Sequence, residues 1–202
     1  MRVSDRGVLN RRFMDMTDRI IAKYYGDNPE LKELLILHSS CVARRAMMVL
    51  DSHPEIVCDR SLIYDGAMLH DIGIVMTDAP GIHCHGSHPY ICHGILGAGI
   101  LLAEAELDVE RRDYYGALAR IASRHTGTGL SPATIKRQNL PLPLDVELCP
   151  RSIEEQIVCY ADKFYSKSHP EREKSPEQVR RMLQKFPDAD IDTWDRWQAM
   201  FG

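Results

Sequence analysis

Leu62-Ile63-Tyr64-Asp65-Gly66-Ala67-Met68-Leu69-His70-Asp71-Ile72-Gly73 is the stretch whose reading decides the fold. Small and apolar residues at helical spacing run into a histidine and a carboxylate side by side, and the glycine that follows can close the helix in a left-handed turn. A polar pair at the inner end of an apolar helix needs partners, because buried polar groups are expensive unless satisfied. Histidine nitrogen beside carboxylate oxygen is also a pair of metal ligands, provided other segments supply more.

Other segments do. Upstream, Leu31, Leu34, Leu35, His38, Val42, Ala46 and Val49 recur at three- and four-residue steps in a helix that starts near Pro29, which turns His38 to the core. Downstream, His93 opens a helix through Leu96, Ile100 and Leu101, and its interior Gly94, Gly97 and Gly99 predict close backbone approach. Asp108 is expected to cap the next helix, whose line Leu118, Ile121, Ala122, His125 ends on a histidine just before Gly127. Ser152-Ile153-Glu154-Glu155 is a capping box, and the helix it starts carries Asp162 on the edge of its buried stripe. Singly, His38 reads as a satisfied core histidine and Asp162 as a solvated carboxylate. Together, His38, His70, Asp71, His93, His125 and Asp162 come from five helices. Burying them without a shared ligand would strand several polar groups at about 1–3 kcal/mol each.

The remaining elements are also helical. A first helix is expected over residues 10–25 on Phe13, Met16 or Thr17, Ile20, Ile21 and Tyr24. A second capping box, Ser175-Pro176-Glu177-Gln178, opens a helix that Pro187 ends, and Trp194, Trp197 and Phe201 mark a last helix on the outside of the bundle or against another subunit, which leaves a homodimer open. Residues 74–92 read as a long break containing His83, Cys84, His85 and His88, and residues 126–150 as a loop too long to be only a connector, expected to wall a pocket. A zinc site of Cys84, His85, Cys92 and His93 fits none of the usual finger spacings. The prediction is an all-α, single-domain helical bundle over 1–202, with a metal-binding core at 31–168 and C-terminal helices at 169–202 packed on it.

Composition sets bounds. At 202 residues, 44% hydrophobic and 27% charged, the chain can bury a real core. No apolar run is expected to span a bilayer, and the arginine-rich start lacks a signal-type apolar segment, so a cytoplasmic protein without membrane partners is expected. Six scattered cysteines without a C-x-x-C predict reduced thiols. A net charge of −4 argues against a nucleic-acid polymer as partner, while leaving room for a local basic pocket.

The order His38, His70-Asp71 with Ile72-Gly73, and Asp162 resembles the HD (HDIG) superfamily of metal-dependent phosphohydrolases, and the added His93 and His125 resemble its binuclear six-ligand members. His93-Gly94, His125-Thr126-Gly127 and Tyr160-Ala161-Asp162 are similar to bacterial hydrolases that split diadenosine tetraphosphate symmetrically. The resemblance implies an HD-type fold and one or two divalent transition-metal ions, iron or manganese favoured. Asp71 would bridge them, His38, His70 and Asp162 would hold one, and His93 and His125 the other. It implies hydrolysis of a phosphate ester or anhydride of a nucleotide or other small molecule by a metal-activated hydroxide. Asp71 and Lys163 are then the catalytic candidates, and His85, Arg124, Lys163, Lys167 and Arg45 the candidates for substrate phosphates. Two departures stand out. Ile74 occupies a position where many members carry a phosphate-binding lysine, and the Gly-Tyr-Pro signature of cyclic-di-GMP phosphodiesterases is missing. The same ligand order is shared by HD-type di-iron oxygenases, the alternative reading, and a non-catalytic metal-holding helical protein is a third.

Overall fold

The structure, a computed structural model, describes residues 16–186 and 190–202. Phe13 and the arginines of the start, like Pro187, lie outside the described residues. Among the described residues the chain is mostly helical: α1 (residues 16–25), α2 (Pro29–Ser52), α3 (Arg60–Leu69), α4 (His93–Leu107), α5 (Arg112–Arg124), α6 (Pro132–Arg137), α7 (Ile153–Asp162), α8 (Pro176–Leu183) and α9 (Ile191–Phe201). Between α3 and α4 sits a sheet of three very short strands, β1 (Thr77–Ala79), β2 (Cys84–His85) and β3 (His88–Pro89), in the order β2-β1-β3. β1 runs antiparallel to β2 and parallel to β3, with Asp78 opposite His85 and Thr77 opposite His88.

Six helices, α2, α3, α6, α7, α8 and α9, begin at a side-chain cap, whereas α4 and α5 begin without one. Asn28 accepts from the Leu31 amide ahead of α2, Asp59 accepts from Ser61 and Leu62 ahead of α3, and both capping boxes, at Ser152 and Ser175, are formed. The expected cap at Asp108 is not: it ends α4, and a short 3-10 turn (Val109–Arg111) leads into α5. α2, α3, α5 and α7 enclose the main core, with Leu31, Leu35, Ile63, Ala67, Leu118, Ile121, Ile157 and Val158 fully buried. α1 is fastened to α4 by a buried carboxylate, Glu104, which accepts from Arg19 at 3.0 Å and from Tyr24 at 3.1 Å. α9 packs on α7 within the chain, Trp194 stacking on Tyr160 with ring centroids 5.2 Å apart. The window Tyr90–Leu107 is apolar and long enough, by length and composition, to cross a bilayer, contrary to expectation; here it is a helix of the bundle, packed against α5.

The glycines next to the central pair have a packing role. Gly73 does not adopt the left-handed conformation expected of it, since among the described residues only Gly127 and Gly129 are glycines with positive φ. A Cβ on Gly73 would lie 2.2 Å from the His93 carbonyl oxygen and 2.3 Å from the Gly97 nitrogen, so the glycine lets the end of α3 touch the start of α4. Gly94 does the same toward α5, where a Cβ would meet the Ala122 carbonyl oxygen at 2.7 Å, whereas Gly99 faces open space.

One buried carboxylate outside the centre sets a pH dependence. Asp65 on α3 is completely buried and receives one hydrogen bond, from the Tyr114 hydroxyl at 2.8 Å, while its Oδ1 has no partner. Burial, only partly offset by that bond, raises its pKa to about 7. A folded-state pKa above the unfolded one means that the folded chain holds the proton more tightly. The contribution of Asp65 is therefore fully present below about pH 4 and lost as the pH rises to about 7, an effect on the order of 4 kcal/mol. Urea unfolding of Asp65→Asn across that range is expected to lack this part of the native chain's decline. An unchanged pH profile would show that Asp65 ionises normally.

Candidate functional site

Six side chains meet at one end of the bundle. His38 comes from the middle of α2. The others sit at helix ends: His70 caps the C-terminus of α3 with Asp71 after it, His93 is the first residue of α4, His125 caps the C-terminus of α5, and Asp162 is the last residue of α7. Five of the six residues are buried, and the Asp162 side chain is 13% exposed. Asp71 is the hub. Its Oδ2 lies 3.0 Å from His70 Nε2 and 3.2 Å from His38 Nε2, and its Oδ1 lies 3.4 Å from His125 Nε2 and 3.5 Å from His93 Nε2. Asp162 Oδ1 faces His38 at 3.1 Å and His70 at 3.4 Å.

A repeated local device aims the rings. In His70, His93 and His125 the Nδ1 nitrogen hydrogen-bonds a backbone carbonyl three residues earlier, those of Ala67, Tyr90 and Ala122, at 2.6, 2.7 and 2.7 Å. Nδ1 must carry the proton there, so in a neutral ring Nε2 is a bare lone pair directed inward. His93 Nε2 and His125 Nε2 are 3.0 Å apart, and two lone pairs at that distance repel unless positive charge stands between or beside them. His70 Nε2 and both Asp71 oxygens lack a well-formed hydrogen bond despite these short separations. The C-termini of α3, α5 and α7, the negative ends of their dipoles, converge here as well. The donor set therefore fits a cation. His38, His70, Asp71 and Asp162 form one group able to hold a metal ion, and Asp71, His93 and His125 a second.

Lys167 supplies positive charge from the chain itself. Its Nζ lies 2.6 Å from Asp71 Oδ2, and Asp71 with Tyr90 and Asp162 holds its pKa up against the opposing pull of burial. Burial pulls on every group here. It lowers His93 to about 3, helped by the neighbouring His125, and lowers His125 too. His70 goes the other way, to about 9, because the charges of Asp71 and Asp162 outweigh desolvation. Both carboxyls stay far below their usual range against burial, Asp71 through His70 and Lys167, and Asp162 through Lys163.

The residues nominated for phosphate binding are dispersed. Lys163, ranked first among them from sequence, spends its ammonium on the His125 carbonyl at 2.8 Å and on Asp162 at 2.7 Å, while Lys167 is the lysine at Asp71. Arg124 is a clamp on α7: it grips both oxygens of Glu155, at 3.0 and 2.9 Å, and the Glu147 carbonyl. Arg45 pairs with Glu173 at 3.0 Å and lies over the Phe164 ring, 4.0 Å from its centroid. His85 is exposed in β2 and lies outside both potential ion-holding groups, as do Cys84 and Cys92.

Beside the centre opens a cavity of about 460 Å³. His93 and Asp162 belong to both. Its walls are largely apolar, with Tyr90, Leu130, Tyr165 and Phe186 among them, and residues 126–130, 134, 138 and 140 of the segment expected to be a loop line one side. Part of that segment is the short helix α6, started by the Ser131 cap and Pro132.

Fold and centre together define a mostly helical protein with a buried histidine–aspartate cluster beside an apolar cavity. Compared with known proteins, the chain is 34% identical over 134 residues to a tRNA (cytidine(56)-2'-O)-methyltransferase of Picrophilus torridus. That match takes in 66% of this chain, which spans about a third of the relative's length (32%). No family model matches the chain, and no solved structure matches it.

The relative overturns the function expected from sequence. It is named for moving a methyl group onto a tRNA ribose. Membership of the HD phosphohydrolases, hydrolysis of a phosphate ester or anhydride, the di-iron oxygenase alternative and the small phosphorylated partner are all corrected by it. The one or two divalent transition-metal ions expected as cofactor, iron or manganese favoured, were tied to that hydrolysis and are corrected with it. The physical reason is that a set of donors records which side chains meet, and many reactions and binding roles share one set. The exclusion of a nucleic-acid partner failed for a different reason. Net charge is a property of the whole chain, whereas polyanions respond to local patches.

Proposed function

We propose that this chain serves tRNA methylation as the part that engages the tRNA, with methyl transfer carried out by a unit equivalent to the two thirds of the relative that this chain does not span. The observation that carries the reading is the 134-residue match to the tRNA methyltransferase. The position of basic residues supports it: Lys136 and Arg137 close α6, and Arg180 and Arg181 close α8, two helices that contribute residues to the cavity. The six residues His38, His70, Asp71, His93, His125 and Asp162 are assigned to one centre that organises the floor of that cavity, with Lys167 as its internal countercharge. The cofactor of the complete reaction is then a methyl donor, and no residue of this chain is assigned to it.

The test measures both parts of the reading. A labelled tRNA transcript titrated with the full chain is expected to bind with a micromolar Kd that weakens steeply between 50 and 200 mM salt, at roughly 0.9 log unit per phosphate contact per log unit of salt. The chain alone, given the same tRNA and S-adenosylmethionine, is expected to transfer no methyl group. Methyl transfer by the chain alone would make it the catalytic unit, and no tRNA binding at low salt would remove the reading.

A further inference from the structure

We infer that the recess where the chain crosses from α7 to α8 seats one backbone phosphate of a polynucleotide, with Arg172 and Lys174 as its cations; that the phosphate belongs to a polynucleotide rests on the tRNA reading above. Ser166, His169, Arg172, Glu173, Lys174 and Gln178 line the recess, whose volume is about 250 Å³. That is below the range for sites that take a whole small molecule, so the group held there is part of something larger that stays outside. The lining is rich in donors. Gln178 spends its side-chain oxygen on the Ser175 amide at 2.7 Å, which leaves its nitrogen free to donate. Glu173, the carboxylate of the lining, is paired with Arg45 at 3.0 Å.

The two cations lack an anion of their own. Lys174 is half-buried, and its ammonium makes one long hydrogen bond, to the Lys163 carbonyl at 3.4 Å. Among the described residues no carboxylate lies within 4 Å of that ammonium or of the Arg172 guanidinium. Burial lowers the Lys174 pKa, Asp162 opposes the shift, and Lys163 and Lys167 add to it. A cation drawn partly out of water without a carboxylate is held at a cost that an arriving anion removes, and a phosphate brings charge and several acceptor oxygens at once. The surroundings favour a chain of phosphates over a single free one. Arg181 lies three residues after Gln178, on the same face of α8; it is exposed, and it directly precedes Met182 of the apolar cavity. A strand with one phosphate in the recess would carry its next ones along α8 toward the rim of that cavity.

The experiment titrates an end-labelled tRNA transcript with the full chain, read by anisotropy at salt from roughly 50 to 200 mM, for the native sequence, Arg172→Gln, Lys174→Gln and the double variant. Each single change is expected to lower the slope of log Kd against log salt by about 0.7–0.9, and the two together to weaken binding roughly 25- to 60-fold at about 100 mM salt. A merely structural role would leave that slope where it is. Lys174→Gln is expected to hold or raise Tm, because it removes an uncompensated cation. Lys32→Gln is the control: it lies about 20 Å along α2 from Arg45, the partner of Glu173, and should keep the native slope. A native slope in the double variant, or a slope lowered as much by Lys32→Gln, would overturn the inference and leave the tRNA reading standing. A second arm adds inorganic phosphate and follows the Arg172 and Lys174 amide resonances, which are expected to shift only above about 10 mM, since one free phosphate lacks the rest of the strand. Shifts that saturate below about 1 mM in a chain that binds no tRNA would make this a site for free phosphate, overturning both the backbone assignment and the tRNA reading. Absence of tRNA binding and of any shift would also overturn both.

Discussion

Gly73→Ala is expected to yield little folded protein. The added methyl would sit 2.2 Å from one backbone oxygen and 2.3 Å from a backbone nitrogen, both belonging to α4, and neither atom can step aside without moving the helix. Overpacking against flexible side chains costs about 1–3 kcal/mol, and a backbone clash at this distance belongs above that range. For a chain of this size a loss above about 3 kcal/mol lowers Tm by roughly 6–12 °C or more. Gly99→Ala is the matched control: its Cβ would meet nothing, and alanine favours the helix, so its Tm should hold or rise slightly. Thermal unfolding followed by circular dichroism compares the two. Equal melting temperatures would mean that α3 and α4 do not approach as closely as described.

The second large effect falls on Asp71. Removing its carboxylate in Asp71→Ala takes, among the described residues, the only anion within 4 Å of the Lys167 ammonium and one of the two near His70 Nε2, all inside the protein. Breaking a buried ionic cluster by deleting one partner typically costs about 3–5 kcal/mol, because the remaining charges stay desolvated. A fall in Tm of roughly 6–20 °C is expected, and Asp71→Asn, which keeps the shape but not the charge, should lose nearly as much. If Asp71→Asn melted with the native chain, the hub would be a matter of packing and not of charge.

Much of this arrangement was legible in the sequence, and particular residues show why. His38 and His125 were placed by helical periodicity, since an apolar stripe that includes a histidine leaves it nowhere to go but inward. The starts of α7 and α8 were marked by Ser152 and Ser175, whose capping needs only local chain. Lys167 was named among the phosphate contacts but ranked below Lys163. It lies beyond the end of α7, in a segment with no periodicity to orient it, and only tertiary packing brings it to Asp71. The three-stranded sheet escaped notice because strands of two or three residues cannot display an alternating pattern. α6 was concealed by Pro132 and by the prolines that follow, although Ser131-Pro132 is a start signal. Reading Gly73 as a turn glycine missed its purpose, because close approach to another helix leaves no mark on the local chain. The activity was not legible at all. Six donors at the right spacing specify a meeting point, and the reaction performed there depends on partners and on chain that the spacing does not describe.

The three imidazoles that bond back to the last carbonyls of their own turns couple the centre to the ends of the helices that carry them. The bonds to Ala67 and Ala122 occupy carbonyls at the ends of α3 and α5, the bond to Tyr90 adds to the His93 amide already donated to that carbonyl, and each fixes the ring that faces Asp71. Fraying at one helix end would therefore swing a ring out of the cluster, and disturbing the cluster would release a helix end. Segments separated by more than a hundred residues of sequence, from His38 to Asp162, are in this way made to open together or not at all. The centre acts as a clasp on the bundle, and the rigidity of the cavity floor is a property of five helices held at a single point.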